Sequence, residues 1–148
     1  MKRDTLPSLP PANAAQPTSG SQNRASGTGV APAHSPIGRH VLADMNGIAA
    51  AILSNCAELE KLLRGAAEAA GAHVLFSHFH AFGEGQGVTG VVLLAESHIT
   101  IHTWPECGFA AADIFMCGDS HPELALALIK NALQPGSAHV HTARRGPP

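Results

Sequence analysis

The chain has 148 residues, a formal net charge of −2 and no run of lysine or arginine. That balance speaks for one domain and against a nucleic-acid or anionic-membrane partner. Tyrosine is absent and aromatic residues make up 4% of the chain, too few for a base-stacking surface.

Three cysteines, Cys56, Cys107 and Cys117, have no metal-ligand spacing and are odd in number. Free thiols in a reducing compartment, the cytoplasm, are therefore expected. No apolar run is long enough to span a bilayer. No apolar stretch follows Lys2 and Arg3 as a secretory signal would require.

In chain order, residues 1–36 are rich in Pro, Ser, Ala, Gly and Asn and almost without large apolar side chains. Such a segment buries too little surface to offset the entropy of ordering it, so a disordered extension is expected. From Gly38, alternation of Val41, Ala43 and Met45 with His40, Leu42 and Asp44 predicts a short strand with one apolar face. Residues 48–70 carry Ile52, Cys56, Leu59, Leu62, Leu63 and Ala66 at helical spacing. Ser54 or Asn55 is the expected cap if the first turn stands apart, and Gly71 is the stop.

Residues 73–82 and 88–95 read as strands separated by a glycine-rich loop, 83–87. That loop lacks the lysine and following helix of a phosphate loop. Two further strands, 98–104 and 109–116, flank a turn at 105–108. Asp119 or Ser120 is the expected cap of a helix with Pro122 in its first turn. Its stripe Leu124, Leu128 and Ala132 is expected to pack on the sheet. An edge strand at 138–142 and a frayed tail at 144–148 close the chain.

The expected fold is α+β: a two-layer α/β sandwich of order β-α-β-β-β-α-β. Its mainly antiparallel sheet has one face covered by two helices, in a domain of residues 37–143. The other face is left for a partner, expected to be the same face of a second copy.

The chemistry concentrates at 95–119. If the strands about Cys107 pair, facing residues have numbers summing to roughly 213 and Cβ atoms about 5 Å apart. Ser97 then faces Met116, with Cys117 one position away. His98, Thr100 and His102 fall on one strand face and Ser97 on the other. For His102 to serve Ser97, the chain must break or bulge near Glu96-Ser97.

These residues carry a resemblance. Gly38-Arg39-His40, Phe79-His80, Gly87-Val88-Thr89-Gly90, the run from Glu96-Ser97-His98 to His102-Thr103-Trp104-Pro105-Glu106, Gly108-Phe109 and Cys117-Gly118 occur in that order. The pattern resembles the short prokaryotic S-adenosylmethionine decarboxylase family. The resemblance implies a cytoplasmic proenzyme that cuts itself between Glu96 and Ser97, into 1–96 and 97–148. Ser97 Oγ would attack the Glu96 carbonyl to give an ester. His102 would accept the α-proton of residue 97, and elimination and hydrolysis would leave a pyruvoyl cofactor.

That ketone would form a Schiff base with the amine of S-adenosylmethionine and accept the electrons left by carbon dioxide. The product is the aminopropyl donor of spermidine synthesis. The resemblance makes Cys117 the proton donor in decarboxylation and Thr89 a support for processing. Phe82, Trp104 and Phe109 are candidates to face the adenine or sulfonium, and Glu106 to accept ribose hydroxyls. It also implies a homo-oligomer of cleaved chain pairs.

Three features depart from the family pattern: Cys107 in place of an aromatic, Met116 in place of a small polar residue, and a longer loop after His80. All three are expected to border the pocket, so a pyruvoyl decarboxylase of ornithine or arginine is the alternative. A non-processing, histidine-rich binding relative is the reading from another class. His78/His80 and His139/His141 each place two rings on one strand face, but no third ligand completes a zinc site, and no metal is expected. No nucleophile elbow surrounds Ser97, which argues against a serine hydrolase.

Overall fold

Alternation along the strands decides which side of the sheet is buried. Val41, Ala43 and Met45 of β1 (Gly38–Asn46) are buried, as are Val88, Val92 and Leu94 of β3 (Val88–Leu94). So are Ile99 and Ile101 of β4 (Ser97–Trp104) and Ala110, Ala112, Ile114 and Met116 of β5 (Phe109–Cys117). A two-residue period puts each set on one side of its strand. The computed structural model describes residues 36–148; of the extension expected at 1–36, all but Pro36 lies outside the described residues.

β2 (Val74–Ala81) and β6 (Ser137–Arg145) complete a six-stranded sheet of order β2-β3-β4-β5-β1-β6, antiparallel at every pairing. The apolar side is covered by α2 (Cys56–Ala69) and α3 (Pro122–Leu133), which bury Leu59, Leu63, Ala66, Ala125, Ile129 and Leu133 into one core with it. On the other side Leu42, Phe76, Leu93 and Trp104 stay exposed, with no described element packed over them. The α+β sandwich with one covered face is the expected one.

Five details differ from expectation. Four strands lie between the long helices, one more than the order β-α-β-β-β-α-β holds, because each of the runs read at 73–82, 88–95, 98–104 and 109–116 forms its own strand and three hairpins join them. The helix at 48–70 is interrupted: α1 (Ala50–Leu53) ends at Ser54, and Asn55 starts α2 by accepting the Glu58 N–H at 3.2 Å. The cap of α3 is His121, with Pro122 in the first turn and no side-chain cap bond from Asp119 or Ser120.

The stripe of α3 that meets the sheet is Ala125, Ile129 and Leu133, whereas Leu124 and Leu128 remain exposed. Both stripes are apolar, and packing beside α2 selects one of them. Finally, Arg144 and Arg145 do not fray. They extend β6 by pairing with Arg39 and Gly38 of β1, which supply the backbone partners.

Candidate active site

β3 and β4 meet in the tightest turn of this region. Leu94 pairs with Ser97, so Ala95 and Glu96 form a two-residue loop. Glu96 sits at φ 60°, in the left-handed region. A side chain there costs on the order of 1 kcal/mol, so strain is stored next to the 96–97 peptide bond.

Ser97 is buried, at 8% exposure. Its Oγ accepts the Cys117 N–H at 3.2 Å and lies 3.4 Å from Cys117 Sγ. The Cys117 thiol donates to the Glu96 carbonyl oxygen at 3.0 Å. A hydroxyl and a thiol thus converge on one peptide bond, with an S–H already aimed at the oxygen that gains charge when that carbonyl is attacked. The hairpin register explains the meeting. His98 pairs with Phe115, which is the expected sum of 213, so Ser97 stands one position short of Cys117.

Thr89 and His102 form a second cluster. They pair across β3 and β4, and Thr89 Oγ1 lies 3.0 Å from His102 Nδ1. Trp104 follows, with its ring 6.3 Å from that of His102 and 5.4 Å from that of Phe109. His80 pairs with Thr89 and stacks edge-on against Phe82 at 4.9 Å. Glu106 is exposed in the 3-10 turn (Pro105–Cys107) that joins β4 to β5.

These two clusters are not brought together within one chain. His102 is five strand positions from Ser97, roughly 16 Å at about 3.3 Å per residue. Alternation puts its ring on the open face; Ser97 starts in the covered phase, but as the first residue of β4 it turns its Oγ to Cys117 and lines the cavity beside His98 and Phe115. Of the residues singled out from sequence, Glu96, Ser97 and Cys117 lie at one end of the sheet. Thr89, His102, Phe82, Trp104, Phe109 and Glu106 lie at the other.

The Ser97 end holds residues the sequence reading gave no role. Arg145 Nη1 lies 3.3 Å from His40 Nδ1, and its guanidinium sits over the Phe115 ring at 5.8 Å. His40 Nε2 is buried without a hydrogen-bond partner, 3.7 Å from Asp113 Oδ1. Thr100 Oγ1 donates to Asp113 Oδ2 at 3.3 Å. His98 packs against both His40 and Phe115. Burial first, then the nearby His40 and Arg145, hold its imidazole below the usual histidine range, against an opposing pull from Asp113. The signal for these residues was the alternation of β1 and β4. Arg145 gave none, because a charged C-terminal pair reads as a tail.

Among the departures from the family pattern, Met116 points into the core, away from the open face, and Cys107 is an exposed free thiol. The histidine pairs 78/80 and 139/141 stand on β2 and β6, at opposite edges of the sheet.

Residues 39–146 match the family model for S-adenosylmethionine decarboxylase. The chain belongs to the S-adenosylmethionine decarboxylase family. It is 42% identical over 111 residues to an S-adenosylmethionine decarboxylase proenzyme of Methanococcus aeolicus, a match covering 74% of this chain and 94% of that one. It is 43% identical over 111 residues to the proenzyme so named of Thermosipho melanesiensis, covering 74% and 85%. The crystal structure of the adenosylmethionine decarboxylase from Aquifex aeolicus superposes with a TM-score of 0.71 at 38% identity, covering 76% of this chain and 93% of that one. The S-adenosylmethionine decarboxylase match runs from the second residue of β1 to just beyond β6, so both clusters on the sheet belong to the shared fold.

Proposed function

We propose that this protein is a self-processing S-adenosylmethionine decarboxylase of the cytoplasm whose product serves spermidine synthesis. The observation that carries the reading is the convergence of Ser97 Oγ, Cys117 Sγ and the Glu96 carbonyl on the peptide bond that follows the left-handed Glu96. Ser97 Oγ attacks the Glu96 carbonyl carbon. The C–N bond breaks, the hydroxyl proton goes to the nitrogen of residue 97, and an ester replaces the amide. Cys117 S–H holds the carbonyl oxygen throughout, where its charge develops.

The residues fit a pyruvoyl group at position 97: a serine in a tight turn, reachable from the open face, with a thiol and no lysine beside it. Such a group supplies a ketone that captures the substrate amine and accepts the electron pair left by carbon dioxide. Cys117, half-buried in contact with the same atom, is the proton donor to carbon.

The proton acceptor His102 must come from elsewhere, since its own Ser97 is out of reach. A second copy laid face to face on the open sheet, about a two-fold axis running across the strands, puts each Ser97 end over the other Trp104 end. The partner's His102, oriented by the partner's Thr89, then completes the processing site. The partner's Phe82, Trp104, Phe109 and Glu106 would receive the adenosine. The exposed Leu42, Phe76, Leu93 and Trp104 supply apolar area for such a contact.

Intact mass on a denatured sample tests the reading. Wild-type protein should give two chains divided at 96–97, and Ser97→Ala one full-length chain. Carbon dioxide should be released from labelled S-adenosylmethionine and not from ornithine or arginine. Cleavage of Ser97→Ala, or release only from a basic amino acid, would refute it.

A further inference from the structure

On the open side of the sheet, a cavity of about 430 Å³ borders Ser97. Leu75, Leu93, Leu94 and Phe115 give it an apolar lining, and Glu96, His98 and Arg145 a polar one. Arg145 is the one cationic residue of that lining. His40 Nδ1 takes one of its N–H groups at 3.3 Å and Phe115 supports the plane of the guanidinium. For Nδ1 to accept, the His40 proton must sit on Nε2, the atom that faces Asp113. The guanidinium is therefore anchored through one N–H to the His40 ring and rests over an aromatic face, which leaves its other donors for a ligand.

Building on the decarboxylase reading, we propose that Arg145 recognises the substrate's α-carboxylate beside position 97, with His40 as its positioning residue. The chemistry of the cavity supports an acid rather than a neutral amine. A planar fork matches a carboxylate with two parallel hydrogen bonds. Leu75 and Leu93, both exposed in the single chain, and Phe115 give an apolar surround that the proposed partner copy would cover, and loss of water there favours departure of the group as uncharged carbon dioxide. Burial disfavours the charged form of His98, which leaves the guanidinium as the cation of this lining. The placement also accounts for why β6 continues to Arg145: its pairing with Gly38 brings the guanidinium to the Ser97 end of the sheet.

The test compares cleaved wild-type, Arg145→Ala and Arg145→Lys enzymes on two probes. One is S-adenosylmethionine, followed by KM and kcat. The other is its decarboxylated product, which lacks the carboxylate, followed as a competitive inhibitor. For Arg145→Ala, KM should rise about tenfold to a hundredfold, as loss of a charged hydrogen-bonded pair implies. The inhibition constant of the product should stay within about twofold, because nothing it contacts has changed. Arg145→Lys, which keeps the charge without the fork, should lie between, and it carries the test alone if Arg145→Ala does not fold.

A parallel rise of both constants would mean general damage to the cavity and would overturn the proposal. So would an unchanged KM, or an Arg145→Ala defect confined to cleavage, which would assign the arginine to the chain end freed at Glu96. Wild-type enzyme that cleaves but does not decarboxylate sinks the functional reading, and this proposal with it.

Discussion

Mixed pairs of inactive chains give the sharpest test of how the two ends of the sheet cooperate. A proton transfer needs heavy atoms within about 3 Å. His102 and Ser97 of one chain are roughly 16 Å apart along β4, a gap no side-chain rotation closes. His102→Ala alone should therefore slow completion of cleavage by about 10² to 10⁴, the usual contribution of a general base.

Ser97→Ala alone cannot cleave, but it keeps its His102. Co-expressed at equal levels and mixing freely, about half of the His102→Ala chains should pair with a Ser97→Ala chain. Those chains should cleave at the wild-type rate. Two affinity tags isolate the mixed pairs, and denaturing electrophoresis with intact mass scores which tagged chain has been cut. If His102→Ala chains in mixed pairs cleave no faster than in pairs of their own, the face-to-face reasoning is wrong. Wild-type protein that sediments as a monomer while it cleaves would refute it equally.

Two further results are expected. Cys117→Ala removes both the S–H on the Glu96 carbonyl and the proposed donor to carbon, so cleavage should slow about 10²-fold, the scale of one lost oxyanion donor. The chains that do cleave should turn over more slowly still; normal rates in both assays would remove Cys117 from the site. For His98 the folded protein holds the imidazole below its unfolded value, mainly by burial. The unfolded chain then binds more protons, so stability is present above about pH 6.5 and is lost as pH falls through the folded value. Urea midpoints measured between pH 7.5 and 5.5 should decline, and His98→Gln should flatten that decline. An identical slope in the variant would show that another group governs it.

Much of the architecture was legible because it is written at short range. A two-residue alternation marks Val41, Ala43 and Met45 for the core whatever surrounds them, and the turn at Pro105 fixes the register that sets Ser97 beside Cys117. The motif from Glu96 to Glu106 carried the family. Local patterns fail where two answers are equally apolar or where the deciding partner is distant. α3 offers one stripe through Leu124 and Leu128 and another through Ala125 and Ile129, and only docking against α2 and the sheet chooses the second.

The sequence by itself determined the strands and their faces, since each depends on neighbours within a hairpin, while the family motif pointed to Glu96-Ser97. Tertiary structure alone decided that α3 meets the sheet through Ala125 and Ile129 and leaves Leu124 and Leu128 exposed. It alone turned the C-terminal arginines from a tail into a strand beside β1, and gathered Arg145, His40 and Phe115 around one cavity. Those outcomes join separate elements, 105 positions apart for Arg145 and His40, and no pattern confined to one element holds information about where another element will lie.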